Sequence, residues 1–216
     1  MIGLALSQLH AMEGRFEHAR DLYRKSRATL VDLGERVLAA FTASNSGRVE
    51  MMAEDPVAAE AELRRDYEAL GAMGEKYFLS TVAALLAHAL YLQGRYEEAE
   101  RFSRESEETA GDDVESLVLS RRARAKVLAR WGRFEEVELL AHQAVDSSMR
   151  TDSPVLQANT LMDFVEILRL AGRAAEAVPH VQEALRLFEE KGNTVSAARA
   201  RSILAELTSG ATAANS

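Results

Sequence analysis

The sequence predicts an all-α protein built as an array of repeated helical hairpins, and three observations support this fold class. First, a short motif recurs as GRFEHA, EDPVAA, GRYEEA, GRFEEV and GRAAEA, starting at positions 14, 54, 94, 132 and 172. The spacing of 40, 40, 38 and 40 residues is typical of a helical repeat array. Second, the chain has only 12 glycines and three prolines in 216 residues, too few turn residues for an all-β fold. Third, the helix formers Ala, Leu, Glu and Arg dominate every segment.

Each motif is predicted to lie at the turn between two helices. Around Gly94, apolar residues recur at three- and four-residue spacing both before the turn, over 82–90, and after it, over 96–102. Glycine suits such a turn because it adopts the left-handed backbone conformation that ends a helix. A small residue five positions later, such as Ala99, allows the two helices to approach closely. In the second repeat, Asp55 is a candidate N-cap before Pro56, which suits the first position of a helix. Ser153 is a candidate N-cap before Pro154 in the same way.

In chain order, the periodicity and the turn residues predict eleven helices, at 2–12, 16–33, 36–53, 56–73, 76–93, 96–109, 113–131, 134–148, 154–171, 174–190 and 194–208. The first ten form five hairpins, and the eleventh closes the array. We therefore predict one repeat domain over 1–208 and a disordered tail over 209–216. Pro179 falls inside the tenth helix, where it either kinks the helix or shifts its start toward Val178.

Composition narrows the function classes. The formal net charge of −8 disfavours non-specific attraction to nucleic acid or to an anionic membrane. No stretch of about 18 apolar residues occurs, so no membrane span is predicted. The absence of cysteine excludes disulfides and thiolate metal sites and fits a reducing compartment, so we predict a cytoplasmic protein. Only four of the 26 basic residues are lysine, a bias that suggests a GC-rich bacterial genome.

The pattern Gly-Arg-aromatic-x-x-Ala, followed by an apolar residue three or four positions later, resembles the tetratricopeptide repeat over nearly the whole chain. The period exceeds the family's usual length of about 34 residues. It is similar to the longer-helix variety of bacterial signalling ATPases and transcription regulators. Residues 91–207, with YLQGRYEEAE and LRLFEEKGNTVSAARARSIL, resemble the C-terminal region of such multidomain regulators. Their cyclase, DNA-binding and ATPase modules are absent from this sequence, so those activities do not carry over. The resemblance implies a right-handed superhelix that binds proteins.

The resemblance also implies that the first helix of each hairpin lines a concave groove. The family's groove positions, with the adjoining Arg130, give the candidate partner-binding residues Ser44, Arg48, His88, Tyr91, Arg122, Lys126, Arg130 and Arg169. Five of these are cations, whereas the groove positions include one anion, Glu166. Arg122, Lys126 and Arg130 lie along one helix stripe, where several donors can hold a carboxylate or phosphate. The predicted partner is therefore a protein or peptide of acidic character.

A second interpretation of these cations stays open, because charge runs on helices are most often solvated faces. Arg121, Arg122 and Arg124 are too close together for all three to point one way. In addition, Glu50 and Arg124 fall at positions that the family pattern buries, which puts the register of their hairpins in question.

The sequence has no catalytic constellation. The five histidines form no His-x-x-x-His pair, and no nucleophile turn of the Gly-x-Ser-x-Gly type occurs. We therefore predict a non-catalytic interaction scaffold without metal or cofactor, which regulates a bacterial signalling or transcription system. One alternative is a homodimer formed through the apolar edges of the terminal helices. A second is nucleic-acid binding through the basic stripe, which the acidic total disfavours.

Overall fold

A computed structural model describes the backbone of residues 2–214 and the side chains of residues 2–209. Within this part of the chain the regular secondary structure is helical, and the predicted all-α fold class is confirmed. The helices are α1 (Ile2–Met12), α2 (Phe16–Asp32), α3 (Arg36–Phe41), α4 (Ala43–Met52), α5 (Pro56–Ala72), α6 (Tyr77–Leu92), α7 (Tyr96–Thr109), α8 (Val114–Arg130), α9 (Phe134–Met149), α10 (Pro154–Leu170), α11 (Ala174–Glu190) and α12 (Thr194–Ala214). None of the described helices is long and apolar enough to cross a membrane.

Successive helices pack as five hairpins: α1 on α2, α4 on α5, α6 on α7, α8 on α9 and α10 on α11. The first helices of neighbouring hairpins also contact one another, from α1 through α4, α6 and α8 to α10. They form an inner layer, and α2, α5, α7, α9 and α11 form an outer layer. The small residue predicted to permit close helix packing is buried in every hairpin, as Ala19, Ala59, Ala99, Val137 and Ala177.

The turns between paired helices have left-handed backbone conformations. Gly94 and Gly132 have φ values of 75° and 73°. The second hairpin has Glu54 at this place with φ 61°, and Glu54 is the one non-glycine residue with positive φ among the described residues. Such a conformation costs an L-residue about 1 kcal/mol relative to glycine. The Asp55 Oδ1 atom accepts a hydrogen bond from Ala58 N at 2.9 Å, which confirms the predicted N-cap.

The helix predicted over 36–53 is interrupted at Thr42, which separates α3 from α4. The Ala39 carbonyl accepts hydrogen bonds from Thr42 Oγ1 and from Arg27 Nη1, both at 2.7 Å. Arg27 in turn pairs with the buried Asp66 of α5. Side chains thus compete for a carbonyl that a continuous helix would use internally.

The start of α11 and the end of α12 differ from positions considered in the sequence analysis. Pro179 lies inside α11, which begins at Ala174, so the alternative start near Val178 is wrong. The final helix continues to Ala214, six residues beyond its predicted end. It overlaps the tail predicted from 209 onward, of which residues 215–216 lie outside the described residues.

The last helix returns to the first two hairpins. Thr194 Oγ1 donates to the carbonyl of Met12 at 3.2 Å, and Arg199 Nη2 donates to the carbonyl of Met52 at 2.6 Å. These carbonyls belong to the last residues of α1 and α4, where a helix leaves acceptors unsatisfied and carries partial negative charge. The solenoid therefore closes on itself, with α12 against the ends of α1 and α4.

Candidate functional site

The inner layer and α12 surround a cavity of about 770 Å³. Its apolar wall includes Met51, Leu92, Met162, Leu170, Phe188 and Ile203. Its cations are Lys126, Arg130, Arg169 and Arg199, and its anions are Glu54, Asp163 and Glu166. His88 and Asn159 also border it. The cavity therefore combines an apolar surface with charges of both signs.

The most deeply buried charges form one group, which we call the buried cluster: His88 of α6, Arg122 and Lys126 of α8, and Asp163 of α10. Lys126 Nζ lies 2.7 Å from Asp163 Oδ1, and Arg122 Nε donates to Asp163 Oδ2 at 2.5 Å. The Lys126 side chain is only 1% exposed. These contacts arise because α8 and α10 are adjacent in the inner layer, which places i, i+4 cations of one helix against an acid of the next.

Electrostatics fix the charge states of the buried cluster. Burial alone would raise the pKa of the Asp163 carboxyl, but the charges of Arg122 and Lys126 outweigh burial and hold that pKa below its usual range. Burial lowers the pKa of His88 well below its usual value, and the Lys126 ammonium lowers it further. Lys126 Nζ lies 3.2 Å from His88 Nδ1. Since an ammonium group only donates, Nδ1 accepts and the imidazole proton resides on Nε2.

Next to the buried cluster, Tyr91 of α6 forms hydrogen bonds with side chains of α8 and α10. Its hydroxyl donates to Glu166 Oε1 at 2.5 Å and accepts from Arg130 Nε at 2.9 Å. Arg130 Nη2 also lies 2.9 Å from Glu166 Oε1. Lys126 Nζ lies 4.4 Å from the centre of the Tyr91 ring, a favourable cation–π distance. Burial, and then the Glu166 carboxylate, raise the pKa of the Tyr91 hydroxyl, so this hydroxyl stays protonated.

The remaining sequence-predicted residues lie apart from the buried cluster. Ser44 is buried, and its hydroxyl donates to the Phe41 carbonyl at 2.9 Å. Arg48 Nη2 lies 2.5 Å from Glu115 Oε1. Arg169 borders the cavity, and its Nη2 lies 3.1 Å from Glu206 Oε2. The structure thus brings together five of the eight predicted residues, namely His88, Tyr91, Arg122, Lys126 and Arg130.

In the structure, Glu166 is not the only acid that faces the five groove cations. Each of those cations has a carboxylate within 4.0 Å, supplied by Glu115, Asp163, Glu166 or Glu206. Sequence reasoning missed Asp163 because it lies one residue from a position assigned to the groove. The signal that could have found it is the pair Asp163 and Glu166, spaced i, i+3 on the inner helix that follows the basic stripe. Paired in this way, the stripe offers no observation that favours nucleic-acid binding.

The register question raised by Glu50 is also answered. Glu50 is buried, as the repeat pattern requires, and its carboxylate lies 2.5 Å from Arg20 Nη2. A charged residue therefore occupies a core position without a shift of register, because α2 supplies its counter-ion. Among the described residues, no group of three or more histidines and acids is arranged to hold a metal ion.

Comparisons with known proteins find a local match to a repeat family. A family model described as a tetratricopeptide repeat matches residues 80–106, which cover most of α6, the Gly94 turn and most of α7. In this segment the chain is similar to the tetratricopeptide repeat. The other hairpins share the left-handed turn and the buried small residue of this segment.

The regulatory protein AfsR of Streptomyces coelicolor is 28% identical to this chain over 138 residues. The match covers 63% of the chain and 14% of AfsR. The chain therefore corresponds to a small part of that relative's length, and the likeness extends over more than half of the repeat array.

Two solved structures share the fold. One contains nearly identical tetratricopeptide-like repeats of a putative kinesin light chain from Podosopora anserina, with a TM-score of 0.57 and 16% identity over 88% of this chain and 94% of that one. The other is a Rap protein in complex with the Competence and Sporulation Factor, with a TM-score of 0.55 and 14% identity over 96% of this chain and 63% of that one. At these identities, the likeness concerns the fold alone.

Proposed function

We propose that this chain is a regulatory interaction module that binds a peptide, or a short segment of a partner protein, in the central cavity. The observation that carries the proposal is the cavity itself, whose volume of about 770 Å³ falls in the range of ligand sites. Because stacked hairpins form the wall, the module does not have to fold around its ligand, and less conformational entropy is lost on binding.

The comparisons support a regulatory role by analogy. AfsR is named a regulatory protein, and the Rap protein was solved in complex with the Competence and Sporulation Factor. A shared fold does not by itself transfer a function, so the proposal depends on the cavity and takes the analogy as support. The cysteine-free sequence fits a reducing compartment, and we propose a bacterial, cytoplasmic setting.

A substitution that fills the cavity tests this function. Leu92 borders the cavity and is 47% exposed, so Leu92→Trp adds bulk there with little disturbance of the core. Leu139 of α9 is 64% exposed and does not border the cavity, so Leu139→Trp is the matched control. Peptides and proteins captured from the source cell's lysate are identified by mass spectrometry. We expect the wild-type chain and the Leu139→Trp variant to retain a ligand that Leu92→Trp loses. Equal retention by all three would contradict binding in the cavity.

Self-association is a second candidate, favoured by one surface. Ile2, Leu6 and Leu9 are 80%, 42% and 46% exposed, and their i, i+4, i+7 spacing places them on one face of α1. A second copy of the chain could cover this apolar face. Sedimentation velocity of the wild-type chain and Leu6→Glu tests it. A dimer that Leu6→Glu converts to a monomer would support the candidate, and a monomeric wild-type chain would exclude it.

A further inference from the structure

The turn between α4 and α5 carries an unusual residue. Glu54 adopts the left-handed conformation that glycine adopts at the equivalent turns, with φ 61°. Backbone strain of this kind persists where the surrounding structure holds it in place, and it often marks a functional position. The Glu54 carboxylate borders the cavity and lies 3.0 Å from Arg199 of α12. A glycine would satisfy the turn with less strain but would leave Arg199 without this partner.

Arg199 borders the cavity and has donors that the other described residues do not engage. Its contacts with the Met52 carbonyl and the Glu54 carboxylate both use Nη2. A guanidinium group has five N–H donors. Because both contacts use Nη2, the N–H groups of Nε and Nη1 are not engaged by the other described residues. Arg169 is similar, since within the described part of the chain only its Nη2 is engaged, by Glu206. Both arginines border the cavity, with side chains 39% and 43% exposed.

Exposure decides which cavity cations can change partner. Glu54 and Glu206 are 73% and 57% exposed, so a carboxylate released by either arginine returns to water at small cost. Lys126 pairs with the buried Asp163, and separating that pair would leave an uncompensated charge away from water. A ligand can therefore replace Glu54 on Arg199, whereas Lys126 stays occupied.

We propose that the cavity binds a peptide carrying a carboxylate, which takes the place of Glu54 on Arg199. The peptide's apolar side chains lie against Leu92, Met162 and Ile203, and Arg169 provides a second set of donors. The wall has four cations and three anions, and His88 is neutral, so a single added carboxylate balances its charge. This inference rests on the proposed peptide-binding function, and it adds the chemistry of the ligand and the residue that selects it.

Three pools of short, mixed-sequence apolar peptides test the ligand class. The first has one glutamate and an amidated C-terminus, the second has glutamine and a free C-terminal carboxylate, and the third has glutamine and an amidated C-terminus. Peptides retained by the immobilised wild-type chain are quantified by mass spectrometry. We expect at least one carboxylate pool to be retained about tenfold better than the neutral pool, the effect of one charge-assisted pair. The first two pools distinguish a side-chain carboxylate from a terminal one.

Two variants separate competition from a structural role. Arg199→Gln is expected to abolish the preference for a carboxylate. Glu54→Gln is expected to strengthen retention of the same pool about threefold, because it removes a weak internal competitor. Both variants break the same ion pair, so a purely structural role would shift binding in one direction. Arg201→Gln is the matched control, since Arg201 lies on the same helix and pairs with the exposed Glu189, neither of which borders the cavity.

The outcomes distinguish this inference from the proposed function. A carboxylate preference that survives Arg199→Gln would overturn the inference and leave peptide binding in place. Equal retention of the charged and neutral pools would also overturn the inference and leave peptide binding in place. Weaker retention by Glu54→Gln than by the wild-type chain would have the same consequence. If the wild-type chain retains no pool, both the inference and the proposed peptide-binding function are wrong. Circular dichroism of each variant confirms that the compared chains are folded.

Discussion

The buried cluster and the Glu54–Arg199 pair use the same kinds of side chain in different surroundings. In the buried cluster, Lys126 and Asp163 are 1% and 11% exposed. In the Glu54–Arg199 pair, the two side chains are 73% and 39% exposed. Separating the first pair strands a charge in the protein interior, whereas the second pair can exchange its partner for water or a ligand. The difference teaches that burial, more than residue type, separates charges that hold this array together from charges that can select a ligand.

The largest effect is expected from Asp163→Asn, which breaks the buried cluster. Arg122 and Lys126 would lose their shared carboxylate, and we expect a loss of about 3–5 kcal/mol in the free energy of unfolding. Urea denaturation measures it. The matched control is Glu115→Gln, which removes the exposed partner of Arg48 and should cost less than about 1 kcal/mol. A similar small loss for both variants would show that burial does not separate the two regions.

The next largest expected effect is a pH dependence of the free energy of unfolding that His88 causes. Its pKa in the folded chain lies well below the usual value of 6.5, so it contributes stability that is present above about pH 6.5 and is lost as the pH falls. The slope for one such proton is at most about 1.4 kcal/mol per pH unit. We expect the difference in unfolding free energy between the wild-type chain and His88→Gln to be constant above that pH and to change below it. A difference that stays constant down to pH 5 would contradict this assignment.

A smaller effect on stability is expected at Glu54, in the exposed Glu54–Arg199 pair. Glu54→Gly and Glu54→Gln both remove the ion pair with Arg199, but only glycine relieves the left-handed backbone. The glycine variant should therefore be more stable than the glutamine variant by about 1 kcal/mol in thermal or chemical unfolding. Gly94→Gln provides the reciprocal control, because it should lose a similar amount. Equal stability of the two Glu54 variants would mean that the turn is not strained.

The smallest effect is expected at Arg169. Its contact with Glu206 joins two exposed side chains, so Arg169→Gln should change the free energy of unfolding by less than about 1 kcal/mol. Urea denaturation again provides the measurement. A loss above about 2 kcal/mol would place Arg169 with the buried cluster rather than with the exchangeable charges.

Local rules made the repeat and its helices predictable. The glycine turns, the Asp55 N-cap and the small residue after each turn follow from helix geometry within one hairpin, and the structure confirms them. The break at Thr42 was not predictable in this way, because it depends on Arg27 reaching a carbonyl of the next helix. Of the eight candidate groove residues, five lie together near Asp163 and Glu166 because they occupy neighbouring inner helices, and their role in partner binding stays a prediction.

The closure was beyond sequence reasoning for a different reason. Arg199 and the Met52 carbonyl are 147 positions apart, and their meeting depends on the summed rotation of all the hairpins between them. A period near forty residues identifies a repeat but does not give its curvature. The one local hint was EDPVAA, where Glu54 replaces the glycine of the other turns.

That closure also limits how the array can change in length. In an open solenoid each repeat contacts only its neighbours, so hairpins can be gained or lost at little cost to the others. Here Thr194 and Arg199 must reach the carbonyls of Met12 and Met52, and one hairpin more or fewer would carry α12 past those acceptors or short of them. The number of hairpins is therefore a fixed part of the fold, and duplication of a repeat, the usual route by which such arrays grow, would open the cavity.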